Sequence, residues 1–205
     1  MSAEARAEVL GRIRSALGTA PVVPEVPRGY AAAGSAAADA DLFCERVADY
    51  RATVHRVAAG ELAGALAEAC ERLGVRRLGT TLDVEPAGAE LVRDDPPLPV
   101  AELDRLDAVL TGAALGIAET GTIALDGGPA SGRRALTLVP DVHLCVVEAA
   151  QVVAGVPDAV AALAAAAAEG RPVTLVSGPS ATSDIELDRV EGVHGPRTLE
   201  VFVVG

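Results

Sequence analysis

Two short stretches of this chain hold more glycines, hydroxyls and carboxylates than a fold requires. The first runs from Thr111 to Thr122 and contains Gly112, Gly116 and Gly121 around one carboxylate, Glu119. Glycines let a backbone approach a ligand closely, and a lone carboxylate among small residues is a candidate acid, base or nucleophile. The second runs from Ser177 to Glu186, where Ser180, Thr182 and Ser183 precede Asp184 and Glu186. Shortly after it, Gly192-Val193-His194-Gly195-Pro196 sets an imidazole in a glycine-flanked turn. Glu119, Asp184 and His194 are therefore the catalytic candidates. Gly116, Thr120, Gly121, Thr122, Ser180 and Thr182 are the candidate ligand contacts around them. Arg133 is added as the cation that neutralises an anionic ligand. A histidine and a carboxylate in one pocket can share a proton and orient such a ligand. The competing reading gives Glu119, Asp184, Ser180 and Thr182 ordinary capping roles and leaves His194 as a turn residue.

Other motifs fail on their own chemistry. Gly127 to Arg134 has the glycine spacing of a phosphate-binding loop, but arginines stand where that loop needs Lys and then Ser or Thr. The segment reads as a hairpin turn between Leu125 and Leu136, with Arg133 and Arg134 able to clamp an anion. No GxGxxG opens a helix, so a nicotinamide or flavin dinucleotide site has no support. Cys44, Cys70 and Cys145 are scattered and cannot supply the four thiolates usual for an iron–sulfur cluster. His55, His143 and His194 show no metal-ligand spacing. The chain is expected to carry no cofactor and no metal of its own. His143 reads as a satisfied buried histidine and His55 as a surface one.

The elements that position these residues follow from periodicity. Ser2 to Leu17 reads as a helix with Val9, Ile13 and Leu17 on one face, followed by a linker holding Pro21, Pro24, Pro27, Gly29 and Gly34. That helix packs either on a partner or on its own domain. Residues 1–40 thus form a helix and arm, and residues 41–205 the main domain. Helices are expected at Asp41–Asp49, at Glu61–Leu73 and in the Ala-rich stretch between Pro157 and Gly170. Strands are expected at 53–57, 76–80, 108–111, 122–125, 136–139, 142–147, 173–176 and 199–204, with a loop over 112–121. The unit 53–80 reads as strand, helix and parallel neighbouring strand with a right-handed crossover. The whole reads as α/β: a three-layer α/β/α sandwich with a mostly parallel sheet. Strand ends then bring the candidate residues to one pocket at the carboxyl edge of the sheet.

Composition narrows the function. Half of the 205 residues are hydrophobic and only 2% aromatic, so the core is built from Ala, Val, Leu and Ile. A formal charge of -12 argues against nucleic acid and against anionic membrane surfaces. There is no secretory signal pattern, and the apolar run from Ala159 to Ala168 is too short to span a bilayer. An odd number of separated cysteines fits a reducing compartment, so the protein is expected in the cytoplasm.

Four segments together resemble one family: Gly116-Ile117-Ala118-Glu119-Thr120-Gly121-Thr122, Pro140 with His143, Ser177-Gly178-Pro179-Ser180 through Asp184-Ile185-Glu186, and Gly192 to Pro196. Their order and spacing are similar to those of the lactate utilization protein C, or LUD-domain, family from about Asp41 onward. Ala114 and Ser183 depart from the family's usual residues. The resemblance implies a fold like that of ribose-phosphate isomerases, glucosamine-phosphate deaminases and CoA transferases. It implies a part in oxidising L-lactate to pyruvate beside two iron–sulfur partner proteins, which fits a chain without cysteine clusters. It assigns this component no reaction. An alternative is an independent enzyme acting on an acyl-CoA or other small anion, because Glu119-Thr120-Gly121 resembles the segment around the nucleophilic glutamate of CoA transferases.

Overall fold

A computed structural model describes residues 2–19, 24–34, 36–179 and 195–205. The chain divides into two units, residues 1–31 and 32–205. In the first, helix α1 (Ala3–Leu17) is capped by the Ser2 side chain, and none of its residues is buried. Val9, Ile13 and Leu17 are all about half exposed. Gly34 donates its N–H to Asp158 within the second unit.

The second unit is built on a parallel six-stranded sheet. Its strands are β1 (Thr53–Val57), β2 (Arg77–Thr80), β3 (Glu90–Arg93), β4 (Ala108–Gly112), β7 (Val142–Glu148) and β10 (Thr198–Val204). They stand in the order β1-β10-β7-β4-β2-β3, and every neighbouring pair is parallel. Composition explains the order. Strands β7 and β10 are the most continuously apolar and lie inside, whereas β1 and β3, which carry Arg56, Glu90 and Arg93, lie at the edges. The expected pairing of β1 with β2 is thereby corrected: three strands stand between them.

Helices cover both faces. On one, α3 (Leu62–Leu73) buries Leu66, Ala69 and Cys70 against Leu78, Leu110, Leu144 and Phe202. On the other, α2 (Ala40–Asp49), capped by the Asp39 carboxylate, buries Phe43, Cys44 and Val47 against Cys145, Val147, Val201 and Val203. The α2 layer also holds a second, four-stranded sheet that the sequence pattern does not reveal. Its order is β8-β5-β6-β9, with β5 (Leu115–Ile117), β6 (Thr122–Leu125), β8 (Val152–Val153) and β9 (Thr174–Val176). Residues 112–121 are thus not one loop: β5 and β6 form an antiparallel hairpin turning at Ala118–Gly121. Helix α5 (Val156–Ala168) closes the outside of this sheet, packing Ala159 and Leu163 on Leu115, Ile117 and Ala124.

The expected strand 136–139 is a run of turns. The N–H groups of Leu136 and Val139 donate helical-type hydrogen bonds to Arg133 O and Ala135 O, and Leu136 is fully buried with Leu103 of the short helix α4 (Val100–Leu103), Leu106 and Val109. Its apolar character serves that small core, not a ladder. Among the described residues no helix is long and apolar enough to cross a membrane.

Candidate functional site

A cavity of about 200 Å³ lies between the two sheets. Its walls include Arg134, Thr137, His143, Ser177 and Pro196. His143 and Leu199 place it at the amino ends of β7 and β10, not at the carboxyl edge. On the opposite wall, Thr174 to Val176 of β9 lead into Ser177, Gly178 and Pro179. Pro179 and Gly195, the residues that flank segment 180–194, both line it.

The polar groups are held from within the fold. His143 is 2% exposed, and its Nε2 lies 2.8 Å from Thr111 Oγ1 on the neighbouring strand β4. Burial, and then the charge of Arg134, hold its pKa down at about 4, so the imidazole is neutral at pH 7. Burial pushes the Cys145 thiol up to about 12, with the Thr111 hydroxyl bonded to it on the same sheet face. Arg134 is half-buried and donates from one nitrogen to Thr137 O (3.0 Å) and Thr137 Oγ1 (3.1 Å). From the other side a chain of hydroxyls arrives: Thr120 to Thr122 at 2.7 Å, then Thr122 to Ser177 at 2.8 Å. Antiparallel pairing of β6 with β9, Ile123 opposite Val176, sets this chain in place. A half-buried cation, a neutral imidazole and a hydroxyl in one small cavity suit a small anion that also carries oxygen acceptors.

A family model described as the LUD domain matches residues 100–204. Lactate utilization protein C of Deinococcus radiodurans is 48% identical over 206 residues, which takes in 100% of this chain and 97% of that protein. The chain belongs to the LUD-domain family. Lactate utilization protein C of Shouchella clausii is 30% identical over 108 residues, covering 51% of this chain and 47% of that protein. The crystal structure of a DUF162 family protein from Deinococcus radiodurans matches with a TM-score of 0.68 at 44% identity, over 80% of this chain and 94% of that one. Every residue lining the cavity falls inside the matched LUD-domain region.

Within this LUD domain the expected site residues part company. Thr120 and Thr122 reach the cavity wall through Ser177. Gly116 and Gly121 are explained by packing. A Cβ on Gly116 would stand 2.9 Å from the Phe43 ring. Gly121, at φ +60°, lies so close to α2 that a Cβ would stand 2.5 Å from the Arg46 carbonyl carbon. Glu119 is exposed in the hairpin turn, its N–H bonded to Ala154 O and its carboxylate beside Gly155, the N-cap of α5. That is a helix-terminus position, and Glu119 lines none of the described cavities. Asp184, His194, Ser180 and Thr182 lie outside the described residues.

Arg133 sits elsewhere. It lines an open crevice of about 610 Å³ at the carboxyl ends of β2 and β3, together with Thr80, Thr81, Arg93 and Asp94. Its guanidinium grips Asp94 through two bonds, 2.6 and 2.8 Å, and donates to Leu98 O. Burial alone would raise the Asp94 carboxyl; the Arg133 bonds and the Leu98 N–H hold it below its ordinary range. Arg133 therefore pins residues 94–98. The neighbouring Arg134 is the cation of the cavity, and the glycine-spaced loop closes on itself through Gly132 N to Gly128 O. His55, expected at the surface, is instead half-buried: it stacks on Phe202 and bonds Glu200.

Sequence reasoning offers Arg134 only as an anion clamp beside Arg133, places Thr111 and Ser177 in two separate polar stretches, gives His143 only a core role, and does not bring the four together. A signal was present: His143 and Ser177 both lie in family-like segments, and Arg134 follows Arg133 directly.

Proposed function

We propose that this chain is a non-redox subunit of a cytoplasmic L-lactate-oxidising system, binding a small carboxylate in the cavity beside Arg134 and His143 while iron–sulfur partner proteins carry the electrons. The observation that carries the reading is convergence. Of the four family-like segments, those bearing His143, Ser177–Pro179 and Gly195–Pro196 line one cavity, and the one bearing Thr120 and Thr122 reaches it by a hydroxyl chain. The name shared by these relatives, lactate utilization protein C, supports lactate as the pathway. Cysteine placement supports electron transfer elsewhere: Cys44 and Cys145 lie in the core on one sheet face and Cys70 in the core on the other. The cavity's part is to hold the carboxylate against the Arg134 guanidinium, away from bulk water, where charge–charge attraction is less screened.

The test is complementation. In a strain lacking this gene and any other lactate dehydrogenase, the natural chain restores growth on L-lactate and Arg134→Leu does not, while both melt cooperatively. Growth on L-lactate without the chain, or full rescue by a folded Arg134→Leu, refutes the proposal.

A further inference from the structure

The His143 ring has two nitrogens, and the fold satisfies one. Nε2 meets Thr111 Oγ1 at 2.8 Å. Nδ1 has no hydrogen-bond partner among the described residues, although the side chain is almost completely buried. No fully enclosed side-chain nitrogen or oxygen among the described residues lacks a partner. Nδ1 therefore opens onto free space, and the space that the ring lines is the cavity it shares with Arg134 and Ser177. A buried histidine with one nitrogen locked and the other facing a cavity is arranged to meet a ligand.

The locked side decides what the open side offers. Thr111 has a single hydroxyl proton and two neighbours, His143 Nε2 and the Cys145 thiol. An imidazole nitrogen is a far better acceptor than a thiol sulfur, and a protonated thiol can itself donate to Oγ1. With the Thr111 proton on Nε2 and the thiol donating to Oγ1, the one proton of the neutral ring resides on Nδ1.

We infer that His143 donates its Nδ1–H into the cavity, so that the site selects a small carboxylate carrying an acceptor oxygen on the carbon next to the carboxyl group, a 2-oxo or 2-hydroxy acid, over a plain acid of the same size. The inference rests on the cavity being a carboxylate site. Arg134 takes the carboxylate, and the Nδ1–H takes the adjacent oxygen. A cavity of about 200 Å³ suits an acid of three or four carbons and is too small for a nucleotide-sized ligand.

The experiment uses the full chain labelled with 15N. Long-range proton–nitrogen spectra at pH 7 read the His143 tautomer, and calorimetry compares propionate, L-lactate and pyruvate. The expected result is an Nδ1–H tautomer, with pyruvate or L-lactate bound about 3- to 10-fold more tightly than propionate, the worth of one net hydrogen bond. His143→Asn, whose amide N–H stands near the Nδ1 position, retains the preference, and His143→Phe brings the ratio close to one. An Nε2–H tautomer overturns the inference on the natural protein alone, whatever the variants do. Equal binding of all three acids overturns it too, while leaving the carboxylate site standing. If none of the three binds, the carboxylate reading fails and the inference fails with it.

Discussion

Glu200 gives the sharpest test of how this fold tolerates charge. It lies in β10, one strand in from the sheet edge, with 1% of its surface exposed. Arg72 of α3 donates to both carboxylate oxygens, at 2.9 and 2.7 Å, and His55 of β1 lies 2.8 Å away. Burial alone would raise the Glu200 pKa. The bonds and charges of Arg72 and His55 outweigh it and hold the carboxyl below its ordinary value. The two ends of the pair differ: the Arg72 side chain is 51% exposed and can turn to water, whereas Glu200 cannot. The two deletions should therefore cost different amounts. Arg72→Met strands a buried carboxylate with only His55. Removing one partner of a buried pair costs about 3–5 kcal/mol, and the remaining histidine lowers that here to about 2–4 kcal/mol. Glu200→Gln removes the buried charge, keeps an acceptor of the same shape and frees Arg72 to solvent, for about 1–2 kcal/mol.

The pH dependence has a definite sign. In the natural chain Glu200 titrates lower folded than unfolded, so its contribution is present above the unfolded value of about 4.3 and is lost as pH falls through the folded one. In Arg72→Met burial is no longer outweighed, the folded value rises, and falling pH relieves the stranded charge. The deficit of Arg72→Met against the natural chain should thus be widest near pH 7 and shrink toward pH 5. Urea unfolding followed by circular dichroism at both pH values measures it. A chain of this length loses roughly 2–4 °C in Tm per kcal/mol, so thermal melts resolve the order as well. If Glu200→Gln costs as much as Arg72→Met, or if the Arg72→Met deficit is the same at pH 5 and pH 7, the reasoning is refuted.

Three further outcomes are expected. Gly121→Ala should destabilise by about 2–4 kcal/mol, combining the left-handed backbone with the collision against α2; a stable variant with altered carboxylate binding would return Gly121 to ligand contact. Removing residues 1–18 should leave the Tm of the main unit within about 2 °C, since none of α1 is buried, with a small surface effect at most; loss of a cooperative melt would assign α1 to a core. Purified protein should contain neither stoichiometric iron nor flavin by metal analysis and absorbance; a reproducible brown or yellow preparation with one equivalent per chain contradicts the non-redox assignment.

What is legible in the sequence follows from which forces are local. Helix boundaries at Leu73 and Asp49 and the strand Thr53–Val57 are set by periodicity, caps and breakers within a few residues, and they stand where the pattern puts them. Strand partnership is not local. The pairing of β1 with β10 joins residues far apart in the chain, and nothing near Thr53 distinguishes it from pairing with β2. The same holds for the second sheet. Thr122–Leu125 and Thr174–Val176 read as strands, but a short apolar run does not say which sheet it joins. At Leu136–Val139 an apolar run reads as a strand because burial in a turn and burial in a ladder leave the same composition.

The candidate site shows why motifs outrun the roles assigned to them. The described parts of the family-like segments do gather, yet the individual residues divide their work. Gly116 and Gly121 let α2 approach the β5–β6 hairpin that carries Thr122. Their contribution to the cavity is structural and one step removed. Arg133 and Arg134 look equivalent in sequence, and only the position of Asp94, 39 residues upstream of Arg133, decides which guanidinium pins a loop and which lines the cavity. A carboxylate at that distance along the chain cannot be paired by spacing. His143 reads as core because it is core. Its second role depends on one nitrogen finding Thr111 across a strand pair and the other finding no partner among the described residues, and that is a property of the folded sheet.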